Sequence, residues 1–441
     1  MRRATFKGGV RPYNGKDITK DQAIQVIMPT GDLVYPLSQH IGAPSTPVVA
    51  VGDQVLVGQV IAEASSAVSA NICCSVSGKV KAIEKRLTNN GNMIESIVVE
   101  NDGEYKTIDG LGEKRDYTKL SKEEIRTIVK EAGIVGLGGA GFPTSLKITP
   151  ADDNSIEYVI VNGAECEPYL TTDYRLMLEE TEKLIGGLKI VLSLFPNAKG
   201  IIAIEDNKAE AIEVLKKATE SEANIEVKVL KSKYPQGGER TLIYATTGRK
   251  INSTMLPADV GCIVNNVFTL VSIYDAVCES TPLIRRVITV TGDCVANPGN
   301  FSVRTGMNCD EIIEAAGGFT EQPEKIISGG PMMGVSLVST NVPVTKISSA
   351  LVAFKKDIVA EVETSNCIHC AKCVSACPSG LVPAMLNQAV KRNDMERFEA
   401  LNGLECTECG SCSYVCPAKI QLTQAFKGAK KRVMDAKKKE K

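Results

Sequence analysis

Cys367-x2-Cys370-x2-Cys373-x3-Cys377-Pro378 is followed by Cys406-x2-Cys409-x2-Cys412-x3-Cys416-Pro417, and this doubled run decides what the end of the chain is folded to hold. Three thiolates two residues apart on a tight loop grip three irons of a cubane cluster, while the fourth, launched after a longer gap, reaches the neighbouring cluster. The spacing therefore predicts two [4Fe-4S] clusters. One takes Cys367, Cys370, Cys373 and Cys416, the other Cys406, Cys409, Cys412 and Cys377. Zinc also accepts four thiolates, but its sites are usually built from two separated Cys-x2-Cys pairs, not from quartets closed by Cys-Pro.

The rest of the chain must supply something for such clusters to exchange electrons with. With 441 residues and 43% apolar content, the chain can form several cores, about three at roughly 150 residues per domain. Its formal charge of -1, 5% aromatic content and lack of Trp give no electrostatic or stacking footprint for nucleic acid. Outside the runs lie Cys73, Cys74, Cys166, Cys262, Cys278, Cys294 and Cys309, an odd remainder that argues against a disulfide framework and for a reducing compartment. The opening Met1-Arg2-Arg3-Ala4-Thr5 has no signal-peptide core, and no run of about 18 uncharged apolar residues occurs. A soluble, cytoplasmic chain is expected.

Residues from about 30 to 100 read as short strands cut by Gly and Pro turns, with Val48 to Ala62 and Ser75 to Ile83 as two similar halves. The pairing resembles the flattened barrel-sandwich of biotinyl and lipoyl carrier domains. Ser65 to Asn71 contains no lysine, so no swinging arm is expected; the domain reads as a docking surface, with Cys73 and Cys74 as small buried side chains. From Leu120 the pattern changes to alternating helix and strand. Ser121-Lys122-Glu123-Glu124 is a capping box opening a helix to about Ala132, with Ile125, Ile128 and Val129 on its inner face. Gly136-Leu137-Gly138-Gly139-Ala140-Gly141-Phe142-Pro143 follows, a loop whose amides can approach a phosphate closely, with Lys147 nearby. Glycines also simply make turns. The strand Tyr158-Val159-Ile160-Val161 then ends in Asn162-Gly163-Ala164-Glu165-Cys166-Glu167-Pro168, placing two carboxylates where α/β sheets bind ligands.

These two motifs, with Gly237-Gly238-Glu239 opening a helix and Val264-Asn265-Asn266-Val267-Phe268-Thr269, resemble the flavin- and NADH-binding subunit of respiratory complex I. The resemblance implies a Rossmann-like domain. It assigns Gly136, Gly138, Gly139, Ala140, Lys147, Asn162, Asn265, Asn266 and Thr269 to FMN. It places Phe142, Glu165, Glu167, Gly238 and Glu239 toward NAD(H), with Phe142 and Glu167 at the reacting ring. Leu137 stands where that family often has Arg, and Cys166 where it usually has Ser.

Residues from about 285 to 345 resemble the β-grasp (SLBB-like) domain that follows the flavin domain in such proteins, with Met332 and Met333 as gap-filling core. Val382 to Leu401 has helical periodicity, His369 reads as an exposed spacer, and Lys427 to Lys441 forms a basic tail, either a solvated helix or an attachment point.

The whole arrangement resembles the RnfC family of Rnf complexes, as do Thr5-Phe6-Lys7-Gly8-Gly9-Val10 and Pro36-Leu37-Ser38-Gln39-His40-Ile41-Gly42-Ala43-Pro44. The expected fold is multidomain α/β and α+β: an N-terminal segment and barrel-sandwich domain at 1–112, an FMN/NADH domain at 113–283, a β-grasp domain at 284–350, a double-cluster ferredoxin-like helical domain at 351–427 and the tail at 428–441. The resemblance implies a peripheral subunit on the cytoplasmic side of the cell membrane, held there by the other Rnf subunits. It would exchange electrons with NAD(H), and with ferredoxin through another subunit, within a Na+- or H+-translocating ferredoxin:NAD+ oxidoreductase. Clusters move electrons singly and nicotinamide moves hydride, so the flavin is the required converter. The alternatives are an enzyme like the flavin/iron–sulfur cobalamin reductases and a non-catalytic relay that docks subunits.

Overall fold

The computed structural model describes residues 3–439; Met1 and Arg2 at the start, and Glu440 and Lys441 of the basic tail, lie outside them. The chain opens as a strap that bridges Ala4 to Leu230 and Val10 to Tyr234, makes one helical turn at Lys16–Ile18 and enters β1 (Ile24–Val26).

The barrel-sandwich comprises β2 (Leu33–Pro36), β3 (Thr46–Pro47), β4 (Gln54–Val55), β5 (Val60–Glu63), β6 (Ile72–Cys73), β7 (Gly78–Leu87) and β8 (Met93–Asn101). They form two sheets, β2-β8-β7-β4 and β3-β5-β6. Leu33, Tyr35, Ile61, Ile72, Cys74, Val80 and Ile97 fill the space between. Burial pushes the Cys73 thiol up to about 11 and raises that of Cys74, as suits inert core side chains.

The flavin-type domain begins with α1 (Lys122–Glu131), where Ser121 Oγ accepts the Glu124 amide and Glu124 Oε2 accepts the Ser121 amide. Next come α2 (Thr144–Lys147), β9 (Tyr158–Gly163), α3 (Thr172–Glu179), α4 (Thr181–Ser193), β10 (Lys199–Glu205), α5 (Ala209–Ala218), β11 (Ile225–Leu230), α6 (Glu239–Thr247), β12 (Cys262–Asn266) and α7 (Val267–Cys278). The sheet is parallel in the order β11-β10-β9-β12. Helices cover both faces, so β9 and β10 are nearly continuous apolar runs. Strand order reverses between β9 and β12, and the crevice beyond their carboxyl ends is where such sheets take ligands.

The β-grasp sheet contains β13 (Arg285–Gly292), β14 (Gly299–Arg304), β15 (Lys325–Ser328), β16 (Val335–Ser336) and β17 (Ala350–Phe354), with α8 (Cys309–Ala315) packed on it. Its order is β1-β14-β13-β17-β15-β16, so a strand from the N-terminal segment crosses over to cover the edge of β14. Three residues carry too little pattern to reveal which sheet they will join.

In the last domain α9 (Lys372–Ala376), α10 (Pro383–Lys391), α11 (Met395–Ala400), α12 (Ser411–Tyr414) and α13 (Leu422–Lys439) surround Leu386, Phe398, Leu422 and Phe426. The periodic stretch 382–401 is two helices, parted at Asn393 (φ 58°) and restarted where Asp394 caps the Arg397 amide. The tail is docked: Ala429 and Val433 are buried, and Lys430 donates to Cys406 O (2.7 Å) and pairs with Glu408 (2.9 Å).

Candidate functional site

The glycine loop is closed at its base by Gly136 N donating to Phe142 O (2.8 Å) and Thr144 N to Ile134 O (3.0 Å). Gly138, Gly139 and Ala140 are thereby presented to solvent, with Phe142 half-buried behind them. A Cβ on Gly138 would stand 2.7 Å from Asn266 Nδ2, whereas one on Gly139 would meet only open space. Leu137 turns inward. Its amide donates to Thr269 Oγ1 (3.0 Å) and its carbonyl accepts from Arg286 Nη2 (3.1 Å), so Thr269 holds the loop from behind. Arg286, not singled out from the sequence, is wholly buried, stacks over Phe268 at 4.8 Å and is pulled down to about 9 by desolvation, still a cation at neutral pH. The pair Arg285-Arg286 at the start of β13, just before an apolar run, was the available signal.

At the switch point, strand register sets Asn266 beside Asn162 and Asn265 beside Val161. Asn162 donates to Gly237 O (2.8 Å). Asn266 caps α7 through the Phe268 amide (2.9 Å) and donates to Asp173 (2.7 Å). Asn265 is different: it is 1% exposed, and neither atom of its amide has a partner among the described residues. A buried polar group left so costs about 1–3 kcal/mol, which points to a polar ligand in the crevice. Lys147 donates to Val264 O (3.2 Å) and lies 3.9 Å from the exposed Glu239, which follows the N-cap Gly238 of α6.

The two acids after β9 part company. Glu165 Oε1 accepts the amides of Asp173 (2.6 Å) and Tyr174 (3.4 Å) at the start of α3, and Oε2 lies 3.5 Å from Lys16 of the strap. Glu167 Oε2 accepts the Met332 amide (3.1 Å), Oε1 has no partner, and burial pushes the carboxyl up to about 7. Burial, with Glu205 beside it, pushes the Cys166 thiol up to about 12, so it is inert at neutral pH.

Cys377, Cys406, Cys409 and Cys412 line one cavity, bringing a thiol of the first run among three of the second. Among the described residues no three His, Cys, Asp or Glu side chains converge closely enough to hold a single metal ion. Cys367, Cys370 and His369 are exposed, with Cys373 and Cys416 half-buried. The cavity adjoins the acid loop. Cys409, Cys166 and Met332 all pack against one cluster of Val10, Tyr234 and Ala376, Gly9 donates to Ala376 O (2.9 Å), and Arg240, in the first turn of α6, pairs with Glu405 (2.8 Å). Met332 fills this junction, whereas Met333 is 58% exposed and is not core.

Comparison with known proteins agrees with this layout. Residues 4–104 match the RnfC barrel sandwich hybrid domain, 129–275 the Nuo51 FMN-binding domain, 287–336 the SLBB domain and 366–420 the 4Fe-4S dicluster domain. A component of the proton-translocating ferredoxin:NAD(+) oxidoreductase complex of Clostridium ljungdahlii is 45% identical, over 87% of this chain and 84% of that one. Its counterpart in the Na(+)-translocating complex of Acetobacterium woodii is 42% identical over 98% of both. The chain belongs to this RnfC family. Another relative, from the ion-translocating oxidoreductase complex of Rhodobacter capsulatus, is 36% identical over 98% of this chain and 83% of its own length. An NAD+-reducing [NiFe]-hydrogenase shares the fold, with a TM-score of 0.52 and 20% identity over 71% of this chain and 64% of that one.

The cofactors of this RnfC family member are FMN and [4Fe-4S] clusters. The crevice fits the flavin: exposed glycine-loop amides, the Lys147 cation, the open start of α6 and the unpartnered Asn265 amide supply the donors and acceptors that a polar ring and a phosphate need.

Proposed function

We propose that the chain is the NAD(H)- and FMN-handling peripheral electron-transfer subunit of an Rnf-type ion-translocating ferredoxin:NAD+ oxidoreductase. The observation that carries this reading is the shared cluster of Val10, Tyr234 and Ala376, against which Cys409 of the thiol cavity and Cys166 of the acid loop both pack. Bound FMN supplies the conversion between single electrons and hydride. Gly136, Gly138, Gly139, Ala140, Lys147, Asn162 and Asn265 hold it, with Asn266 and Thr269 bracing the loop and strand ends. Phe142, Glu167, Gly238 and Glu239 face the nicotinamide nucleotide, and Glu165 supports Glu167 by fixing the loop between them. Cys406, Cys409, Cys412 and Cys377 hold the cluster nearer the flavin; Cys367, Cys370, Cys373 and Cys416 hold the other, with Cys367 and Cys370 toward solvent.

Among the described residues no helix is long and apolar enough to cross a membrane. We assign the chain to the cytoplasmic side, attached through its partner subunits, with ferredoxin reached through one of them. Anaerobic reconstitution should yield about eight irons per chain, and NADH should bleach the bound flavin. A flavin that stays oxidised under NADH overturns the reading, and cob(II)alamin reduction would favour the cobalamin-reductase alternative.

A further inference from the structure

The strap and the acid loop meet through contacts that the folding of neither explains. Asn14 O accepts the Tyr169 amide (2.6 Å), and the hydroxyls of Thr19 and Thr171 hydrogen-bond at 2.8 Å. Between them Lys16 sends its side chain inward, 9% exposed, to donate to Glu167 O (3.0 Å) and Leu170 O and to face Glu165 Oε2 at 3.5 Å. That oxygen has no hydrogen-bond partner, so the ammonium is its compensation. From the other side Lys208 donates to Ala164 O (2.6 Å).

The loop gripped in this way is not relaxed. Glu165 and Tyr169 both have left-handed backbones, with φ of 43° and 70°, a conformation that side-chain-bearing residues keep only where surrounding contacts over-determine it. A lysine buried merely to fill space would be unfavourable, because an ammonium leaves water only at a cost that well-placed acceptors must offset. An apolar side chain of similar length would fill the same volume. What it would lack is the charge that faces Glu165 and the donors that tie Glu167 O to Leu170 O.

We propose that Lys16 is a positioning residue: it holds the acid loop in its left-handed conformation and so presents Glu167 to the flavin crevice. The presentation to the crevice rests on the function proposed above; the holding of the loop does not. The strap that carries Lys16 also carries Gly9 and Val10, which touch Ala376 and Tyr234, so the same segment ties the loop to the domain that houses the thiol cavity.

The test uses the full chain, reconstituted anaerobically with iron, sulfide and FMN, as wild type, Lys16→Met, Lys16→Arg and the double variant Lys16→Met/Glu165→Gln. Hydrogen exchange is read at the amides of Tyr169, Asp173 and Tyr174, whose acceptors are Asn14 O and Glu165. In Lys16→Met these should exchange about tenfold faster, while peptides from β10 and from 406–416 stay unchanged. Removing the stranded carboxylate in the double variant should return them to within about threefold of wild type. NADH oxidation with ferricyanide as acceptor should show KM raised about tenfold in Lys16→Met with kcat much less affected.

Unchanged exchange over 169–174 in Lys16→Met overturns the proposal. So does loosening that spreads through the flavin domain and is not reversed in the double variant, which marks a purely structural lysine. Should Lys16→Met fail to fold, Lys16→Arg decides: wild-type exchange supports a charged clamp, and exchange as fast as in the other flavin-domain loops refutes it. If wild type itself does not oxidise NADH, the proposed function fails while the exchange measurements still judge Lys16.

Discussion

The cysteines of the cluster domain all fall between Cys367 and Cys416, whereas the flavin crevice and its supports draw on residues from Lys16 to Met332. The first region is organised by reach: a thiol two residues from the last can touch the same cluster, and the spacing carries most of the design. The second is organised by topology. The reversal of strand order between β9 and β12 brings together loops that are far apart in sequence, and each side chain's task depends on what another segment sets beside it. A region coded by spacing should lose its cofactor outright when one residue changes. A region assembled by packing should weaken by steps.

The largest expected effect tests the one place where the cluster domain breaks its own local rule. Cys377 belongs to the first run in sequence and, in space, to the cavity lined by Cys406, Cys409 and Cys412 of the second. Cys377→Ser and Cys412→Ser should therefore empty the same site. Iron should fall from about eight to about four per chain in both, with FMN content retained and the same electron paramagnetic resonance spectrum left in each. Two different residual spectra would show that the runs do not cross.

Asn265→Ala should come next. Neither side-chain amide atom has a protein partner, so truncation removes no internal hydrogen bond and should leave the unfolding temperature of the flavin-free chain nearly unchanged. FMN affinity, read by flavin fluorescence, should fall by one to two orders of magnitude, about 2 kcal/mol. A large loss of stability with affinity intact would make Asn265 a core residue.

Glu167→Gln probes the packed junction through pH. Burial raises this carboxyl from an ordinary value of 4.5 to about 7, so the folded chain holds a proton that the unfolded chain has released. Its contribution to stability is therefore greatest at low pH and is lost as pH rises from about 4.5 through about 7. The variant should gain on wild type across that window by on the order of 3 kcal/mol, seen as thermal unfolding that falls less steeply between pH 5 and 8. A parallel fall in both would place the charge elsewhere.

The smallest effect separates the two faces of α13. Lys430 reaches Cys406 O and Glu408 on the inner face, while Lys431 pairs with Asp435 at 3.2 Å on the outer one. In denaturant titrations Lys431→Ala should change stability by a few tenths of a kcal/mol, about the worth of an exposed pair. Lys430→Ala should cost about 1–2 kcal/mol, because a carbonyl and a carboxylate both lose their donor.

Much of this molecule is legible before folding. The capping box at Ser121, the loop from Gly136 to Pro143 and the acids after β9 all stand where their local patterns place them. Other features carry no local pattern. Nothing about Ile24 to Val26 says that it will edge a sheet made of residues 285 to 354, and Lys16 looks like any surface lysine until Glu165 and two carbonyls close around it. Met332, expected only to fill space, also supplies the amide that engages Glu167.

The order of residues was enough to set which chemistry the chain can hold, because the spacing of thiols and glycines is a statement about how far a few consecutive residues can reach. It took packing in three dimensions to turn Glu165 toward a helix end and a buried lysine while leaving Glu167 with a free oxygen. The two carboxylates are chemically alike and two residues apart. What distinguishes them is the cation, the amides and the degree of dehydration that distant segments bring to each, and no local pattern encodes which segments those will be.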